Sequence, residues 1–348
     1  MVPIDFDHDG DMDLFIGGRV NPNKYPFSPR SYLLENRQGV FLDVTEKVSP
    51  ELLFPGMITD AAVEDVNKDG WMDLILVGEW NPVQLFLNKK GRLALDLNDN
   101  GLRNTHGWWN CIKSGDFDGD GDMDFVAGNW GLNNPFHASF EEPLSLYAKD
   151  FDSNGTIEPI ITYFNGEKEY ILQARGTLMK QLPLIRKLTN NYHDYGKKTF
   201  GELFDKEKID TKAQFKTYEL ASMYFENIGE GKFKRSSLPE ELQWSPIFDF
   251  IDLDMQGDNK KGLLAVGNFM NTEVLTGHYD AGKGHMLIYD GILGKFELVN
   301  LCKSGFIVSG EARSLVKLKT YSNEELILVG LQNDTLGFYG KTNTLPKK

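Results

Sequence analysis

Five stretches of the chain share one spacing of acids and glycine. Asp5 to Leu14 reads DFDHDGDMDL, Asp65 to Leu74 DVNKDGWMDL, Asp116 to Phe125 DFDGDGDMDF and Asp150 to Pro159 DFDSNGTIEP; a weaker fifth copy, Asp252 to Lys261, reads DLDMQGDNKK. In the frame D-x-D-x-D-G-x-x-D, alternate acids at positions 1, 3 and 5 converge as the loop curls. Glycine at position 6 permits the sharp turn, position 7 offers a backbone carbonyl, and the acid at position 9 closes the cage. Hard oxygen donors, several of them charged, select calcium over zinc or copper. The expected ligand sets are Asp5, Asp7, Asp9, Asp11 and Asp13; Asp65, Asn67, Asp69, Trp71 and Asp73; Asp116, Asp118, Asp120, Asp122 and Asp124; and Asp150, Asp152, Asn154, Thr156 and Glu158. That makes about four Ca2+ sites. In the fifth copy Gln256 stands at position 5 and Lys260 at position 9, so its own lysine is expected to neutralise Asp252 and Asp254 in place of a metal.

An EF-hand loop shares the first half of this frame but needs an acid at position 12 and a helix after it. Position 12 here is Ile16, Leu76, Ala127 and Ile161, each inside a strand-like run. Solvated acidic turns are the plain alternative, since Asp and Gly are ordinary turn formers. Four copies on one frame favour the metal reading.

The elements that position these loops repeat as well. A short extended segment precedes each, such as Ala61 to Glu64 or Cys111 to Ser114, and an apolar run ending in glycine follows, such as Leu14 to Gly17, Leu74 to Gly78 and Phe125 to Gly128. Apolar runs of four or five residues bounded by turn residues read as buried strands. A sixth run, Leu326 to Gly330, has lost its acidic loop. Alternating segments around Gly-containing turns at 32–45, 85–97, 224–237 and 287–300 read as outer hairpins. An inner plus an outer hairpin makes a four-stranded sheet, and several in a row make a β-propeller. The expected fold is therefore all-β, a propeller of about six blades, or an incomplete seven. Residues 176–214 break the pattern, with Leu178, Leu182, Ile185 and Leu188 at helical spacing and a capping-box signature at Thr199 to Glu202. This divides the chain into blades over 1–175, a helical insertion over 176–214 and further blades over 215–348.

Composition narrows the function classes. Against 37 Lys plus Arg stand 51 Asp plus Glu, for a net charge of −14. That balance excludes a basic nucleic-acid-binding face. Cys111 and Cys302 match no metal motif and no disulfide framework. No stretch reaches the roughly 18 apolar residues of a membrane span. The first residues lack the features of a signal peptide, and only four residues precede Asp5. The chain is thus expected to be part of a larger multidomain protein whose export signal lies elsewhere.

The loops and hairpins resemble the FG-GAP, or VCBS-type, repeats of integrin α-subunit propellers and related bacterial surface proteins. The likeness covers most of the chain outside residues 176–214. The order of motifs, with GWWN at Gly107 and DFDSNGTIEPIITYF at Asp150, is similar to the C-terminal propeller of large bacterial VCBS-repeat proteins. The resemblance implies a calcium-stabilised propeller that is exported and binds a partner. Six inner hairpins are visible where such propellers usually have seven blades.

No nucleophile elbow, HExxH or paired-Cys motif appears, and GHYDAGKG at Gly277 to Gly284 lacks the hydroxyl residue and helix of a P-loop. The six histidines are scattered, with His8 pointing outward from its loop. On the face opposite the loops the strands end in Arg19, in Glu79 and Trp80, in Asn129 and Trp130, and in Asn268 and Phe269. Polar groups beside aromatics on one face suit a protein or glycan partner; the plain reading is packing between wedge-shaped sheets. The expected role is a non-enzymatic, calcium-stabilised binding or adhesion module at an extracellular, cell-surface or periplasmic location. Two alternatives stand beside it. One is a polysaccharide lyase, for which Arg19, Tyr25, Arg30, His137 and His278 could supply base and charge-neutralising groups. The other is a purely structural C-terminal domain.

Overall fold

The computed structural model describes residues 1–254, 261–272 and 276–340. Its strands pair antiparallel into six sheets. The first is β1 (Val2–Ile4), β2 (Asp13–Ile16), β3 (Tyr32–Arg37) and β4 (Val40–Asp43). The second is β5 (Met57–Glu64), β6 (Asp73–Asn81), β7 (Gln84–Asn88) and β8 (Leu93–Leu95), with β9 (Gly107–Trp108) added beyond the end of β6. The third begins with β10 (Cys111–Gly115) and β11 (Asp124–Gly128), and here the chain leaves the repeat.

A separate sheet follows before the third is finished. It contains β12 (Leu144–Lys149), β13 (Glu158–Asn165), β14 (Lys168–Ile171) and, after the helical pieces, β15 (Gln214–Thr217), in the order β14-β13-β12-β15. Between β14 and β15 lie four short helices, Arg175–Gln181, Ile185–Leu188, Tyr192–Lys197 and Phe200–Leu203. The last carries the expected capping box of Thr199 and Glu202. Leu178, Leu182, Ile185, Phe200 and Leu203 pack with Tyr147 and Ile160 of the sheet in one apolar cluster. Only then do β16 (Met223–Asn227) and β17 (Phe233–Ser237) pair onto β11 and complete the third sheet.

The fourth sheet is β18 (Ile247–Asp254), β19 (Lys261–Gly267), β20 (His285–Asp290) and β21 (Lys295–Leu298). The fifth holds β22 (Ala312–Lys319), β23 (Glu325–Leu331) and β24 (Gly337–Gly340) among the described residues. Six inner hairpins are thus present, as expected. The one carrying the Asp150 loop, however, is not a blade in series. Its two strands are the central pair of the inserted sheet, whereas the other loops join a blade's first strand to its second.

Among the described residues the other five sheets, called blades here, follow one another in series. Their first strands pack in chain order, β1 on β5, β5 on β10, β10 on β18 and β18 on β22. Among the described residues the first and fifth blades make no comparable contact. Apolar layers fill each interface: Phe15, Leu33, Leu74 and Phe86 between the first two blades, and Trp109, Phe125, Phe225 and Ile75 between the second and third. Polar staples reinforce them. At a bulge in β5 the half-buried Asp60 accepts the Ile112 N–H of the next blade at 2.9 Å, and at the matching bulge in β18 Asp249 accepts the Leu315 N–H at 2.6 Å. Cys111 is buried and Cys302 exposed, both as free thiols. Among the described residues no helix is long and apolar enough to cross a membrane.

Candidate metal centres and the opposite face

The four acidic loops take one backbone path. Position 6 is glycine in each, at φ 90° for Gly10, 89° for Gly70, 88° for Gly121 and 87° for Gly155, a region that favours glycine. Open space surrounds all four, so the requirement is conformational and not one of crowding. Position 4 is left-handed too, which turns its side chain away from the loop. His8 thereby stacks on Trp71 of the next loop, with ring centroids 3.9 Å apart, and Lys68 forms an ion pair with Asp122 of the loop after that.

Three of the loops gather carboxylate oxygens within 4.8 Å of one another: Asp5, Asp7 and Asp13; Asp116, Asp118 and Asp120; and Asp150, Asp152 and Glu158. The Asp65 loop is not among these groups. There the Asp65 carboxylate accepts from Asp69 N–H at 3.0 Å and Gly70 N–H at 2.8 Å, as Asp150 does from Asn154 and Gly155, but position 3 is Asn67, whose amide donates to Asp69. Asp9 and Asp120 each accept the N–H of the position 7 residue, Asp11 and Asp122, at 2.8 Å. Asn154 accepts that of Thr156 at 2.7 Å.

The acid at position 9 does more than close the loop. Asp13 accepts the Phe6 N–H at 3.2 Å and the Asn36 N–H at 2.7 Å. Asp73 does the same with Val66 at 3.1 Å and Asn88 at 2.7 Å, and Asp124 with Phe117 at 3.2 Å and Asn227 at 2.8 Å. Each of these fully buried carboxylates clamps its loop to the third strand of its blade. The asparagines answer. The amides of Asn36, Asn88 and Asn227 donate to the carbonyls of Met12, Met72 and Met123 in their own loops. Asn88 also donates to Phe6 O at 2.8 Å, and Asn227 to Val66 O at 3.0 Å, in the preceding blade. These asparagines were not singled out from the sequence. The signal was present in the Asn ahead of each hairpin glycine, in ENRQG, LNKKG and ENIGEG.

Glu158 differs. Its Oε2 accepts the Phe151 N–H at 2.9 Å, but no third-strand asparagine reaches its other oxygen. Glu158 is 1% exposed, and its Oε1 is buried without a hydrogen-bond partner, as is Asp5 Oδ1. A buried carboxylate oxygen left unpaired is costly, so both are shaped to meet something the protein does not itself supply. In the fifth copy Gln256 and Lys260 fall outside the described residues. Asp252 is met instead by Lys317 at 2.7 Å and Lys113 at 3.6 Å, from the neighbouring first strands. Burial pushes its carboxyl up, but the Lys317 hydrogen bond and the two ammonium charges outweigh it and hold it below the ordinary range.

Burial raises the position 9 carboxyls Asp13, Asp73, Asp124 and Glu158. It takes Asp73 to about 7 and Asp124 to about 6, only partly offset by the Asn88 and Asn227 N–H groups. Outside the loops it takes Asp249 to about 6. Folding thus favours their protonated forms, and the metal-free folded state binds more protons than the unfolded chain between about pH 4 and 7. The melting temperature in chelator should therefore be higher near pH 5 than near pH 7.5. A flat profile would show that these carboxylates ionise freely in the fold.

The opposite face is largely internal. The inserted sheet lies across it, so Leu144 and Leu146 bury Trp80 and Met57. Trp80 sits at φ 59°, in a bulge held by β9, and donates from Nε1 to Tyr25 Oη at 2.7 Å. Trp108 packs edge-on against Trp80, Trp130 and Phe136, and Trp130 meets Phe269 and Tyr279, so the ring faces serve one another. Asn129 and Asn268 are buried with their amides spent on backbone carbonyls. Trp80, Asn129 and Asn268, expected as contact residues, are scaffold here. Arg19 and Glu79 are left at the surface as an ion pair of 2.5 Å. Tyr25 joins them, donating to Glu79 at 3.3 Å, with its phenol pushed up by burial and by the Glu79 charge. Arg30 pairs elsewhere, with Asp43, and His137 and His278 are exposed.

Residues 5–76 and 65–127 match a family model described as FG-GAP-like repeat. No curated protein matches the chain. The two matched spans cover the first two acidic loops, their blades and the third loop with β11. Residues 5–127 thus carry FG-GAP-like repeats, and the chain's antiparallel, mostly four-stranded sheets are compatible with a propeller.

Proposed function

We propose that this chain is a calcium-stabilised, non-enzymatic binding module that works outside the cytoplasm. The observation that carries the metal part is Glu158. A buried, unpartnered carboxylate oxygen beside Asp150 and Asp152 suits a hard cation. The loops at Asp5 and Asp116 offer comparable oxygen sets, and the Asp65 loop is a fourth, weaker site, with Asn67 in place of a carboxylate at position 3. Affinities of roughly 10⁻⁴–10⁻³ M, common for extracellular calcium modules, would leave these loops empty in the cytosol. When bound, calcium supplies positive charge at the turn between a blade's first two strands. The chain's own residues do the rest: the position 9 acids hold the loop to the third strand, and the asparagines carry that order into the preceding blade.

The binding part rests on architecture, with surfaces at the loop edge and at the Arg19–Glu79 rim open to a protein or glycan. The lyase alternative needs a base such as Lys, His or Tyr beside a charge-neutralising Arg. Of these groups Tyr25 and Arg19 both contact Glu79, and burial together with the Glu79 charge pushes the phenol up. Calorimetry should detect calcium binding that Glu158→Gln weakens and Asp252→Asn leaves unchanged. Wild-type protein that takes up no calcium at millimolar concentrations would overturn the metal reading.

A further inference from the structure

The second and third blades turn the same set of residues toward the blade before them. In the second blade these are Leu74, Phe86 and Asn88; in the third, Phe125, Phe225 and Asn227. The four apolar members are at most 1% exposed. Each asparagine donates backward to the carbonyl of the second loop residue, Phe6 or Val66. The outer turn of each blade also rests on the preceding acidic loop: a Cβ at Gly91 would touch Asp7, and one at Gly231 would touch Val66 and Asn67.

The first blade carries the same set. Leu14 pairs across the strands with Leu34, and Asn36 lies opposite Phe41. Here the set has no visible occupant. Leu14 and Leu34 are half-buried and belong to none of the apolar clusters, and Phe41 is 48% exposed. Among the described residues the Asn36 amide donates to Met12 O alone, one partner where Asn88 and Asn227 have two. A Cβ at Gly39 would meet nothing. An apolar patch, a spare amide hydrogen and a bare turn thus stand in the arrangement that elsewhere receives an acidic-loop blade.

We infer that this face of the first blade is a docking surface for a further blade of the same repeat, one that sets an acidic turn against Asn36 and Gly39. A second copy of this chain does not offer the match through its free fifth blade, whose β22–β23 turn lacks the acidic loop. The interior interfaces show the complement that fits: an apolar sheet face, a backbone carbonyl for the asparagine and carboxylates over the hairpin turn. The surface depends on blade stacking and stands whether or not calcium fills the loops.

The test extends the full chain with a second copy of residues 57–111 placed directly before Met1. Met1 lies four residues before Asp5, as Ile112 lies four before Asp116, so the strand register is kept. The extended chain should melt about 5 °C or more higher, since apolar side chains leave water. Leu34→Glu should cancel that gain while shifting the unextended chain by less than about 2 °C, as expected of a surface change. A second readout does not depend on stability. With Cys302→Ser and serine at the duplicated Cys111, Leu34→Cys should react with a thiol reagent at least about ten-fold more slowly in the extended chain, as burial demands. Unchanged melting with an unchanged labelling rate would overturn the inference. So would concentration-dependent dimers of the unextended chain that Leu34→Glu dissolves, which would make a second copy the occupant.

Discussion

Replacing Asp124 with alanine should cost the metal-free protein about 3–5 kcal/mol, the range for removing one partner from a buried charged network. The side chain is fully buried and accepts three hydrogen bonds, from Phe117 N–H, Asn227 N–H and the Tyr224 hydroxyl. Alanine leaves all three donors inside without an acceptor, and each unsatisfied group carries a penalty of roughly 1–3 kcal/mol. Asp120→Ala should behave differently. Asp120 is exposed, and its one hydrogen bond, to Asp122 N–H, lies within its own turn. Its loss should lower calcium affinity and leave the chelated protein nearly as stable as before. Denaturant titrations of both variants in chelator will separate the two roles. Equal losses would mean that position 9 is an ordinary ligand and not a clamp between strands.

Chelator should lower the melting temperature of the wild-type protein by several degrees or more, and added calcium should restore it. Two carboxylates about 4 Å apart repel by roughly 4 kcal/mol at an effective dielectric near 20. Carboxylate oxygens of Asp116, Asp118 and Asp120 lie within 4.8 Å of one another. Without a cation such repulsion favours opening of the loop, and calcium removes it. Because each blade contacts mainly its neighbours, the loss should spread locally, and the fifth blade, which has no acidic loop, should respond least. Hydrogen exchange with and without calcium gives the spatial pattern. Superimposable melting curves would reduce the loops to acidic turns.

What the sequence discloses here follows from how local each signal is. The loop frame and the four outer hairpins are periodic within about 15 residues, so spacing alone places them. The capping box at Thr199 is equally local. The serial position of the Asp150 loop was not legible, because its frame matches the others. What sets it apart is pairing at long range, β12 with β15 across the helical pieces. The ligand sets were readable as candidates. Which carboxylates converge was not, since Asp65 and Asp150 make the same two backbone bonds, yet only the Asp150 loop gathers its carboxylates and leaves a Glu158 oxygen free. The opposite face misled for a related reason. Gly-Asn-Trp and Gly-Glu-Trp at strand ends look like contact surface until an inserted sheet is known to lie across them.

That inserted sheet also imposes an order of events on the growing chain. In the first blade β2 and β3 are separated by 15 residues; in the third, β11 waits until Met223 for β16. Closing the longer connection spans about two and a half doublings in length, or roughly 1.5 kcal/mol more entropy if the segment stays loose. The cost largely vanishes if the insertion folds first and brings its own ends together. Asn129 is placed for that, since its backbone N–H donates to Ser222 Oγ at 3.0 Å and its amide to Glu219 O and Ala221 O. On the ribosome, then, the first two blades and the insertion can mature while the third remains half-made. For that interval the newly made β11 is an open sheet edge next to a completed neighbour, which is the moment when synthesis is most exposed to mispairing.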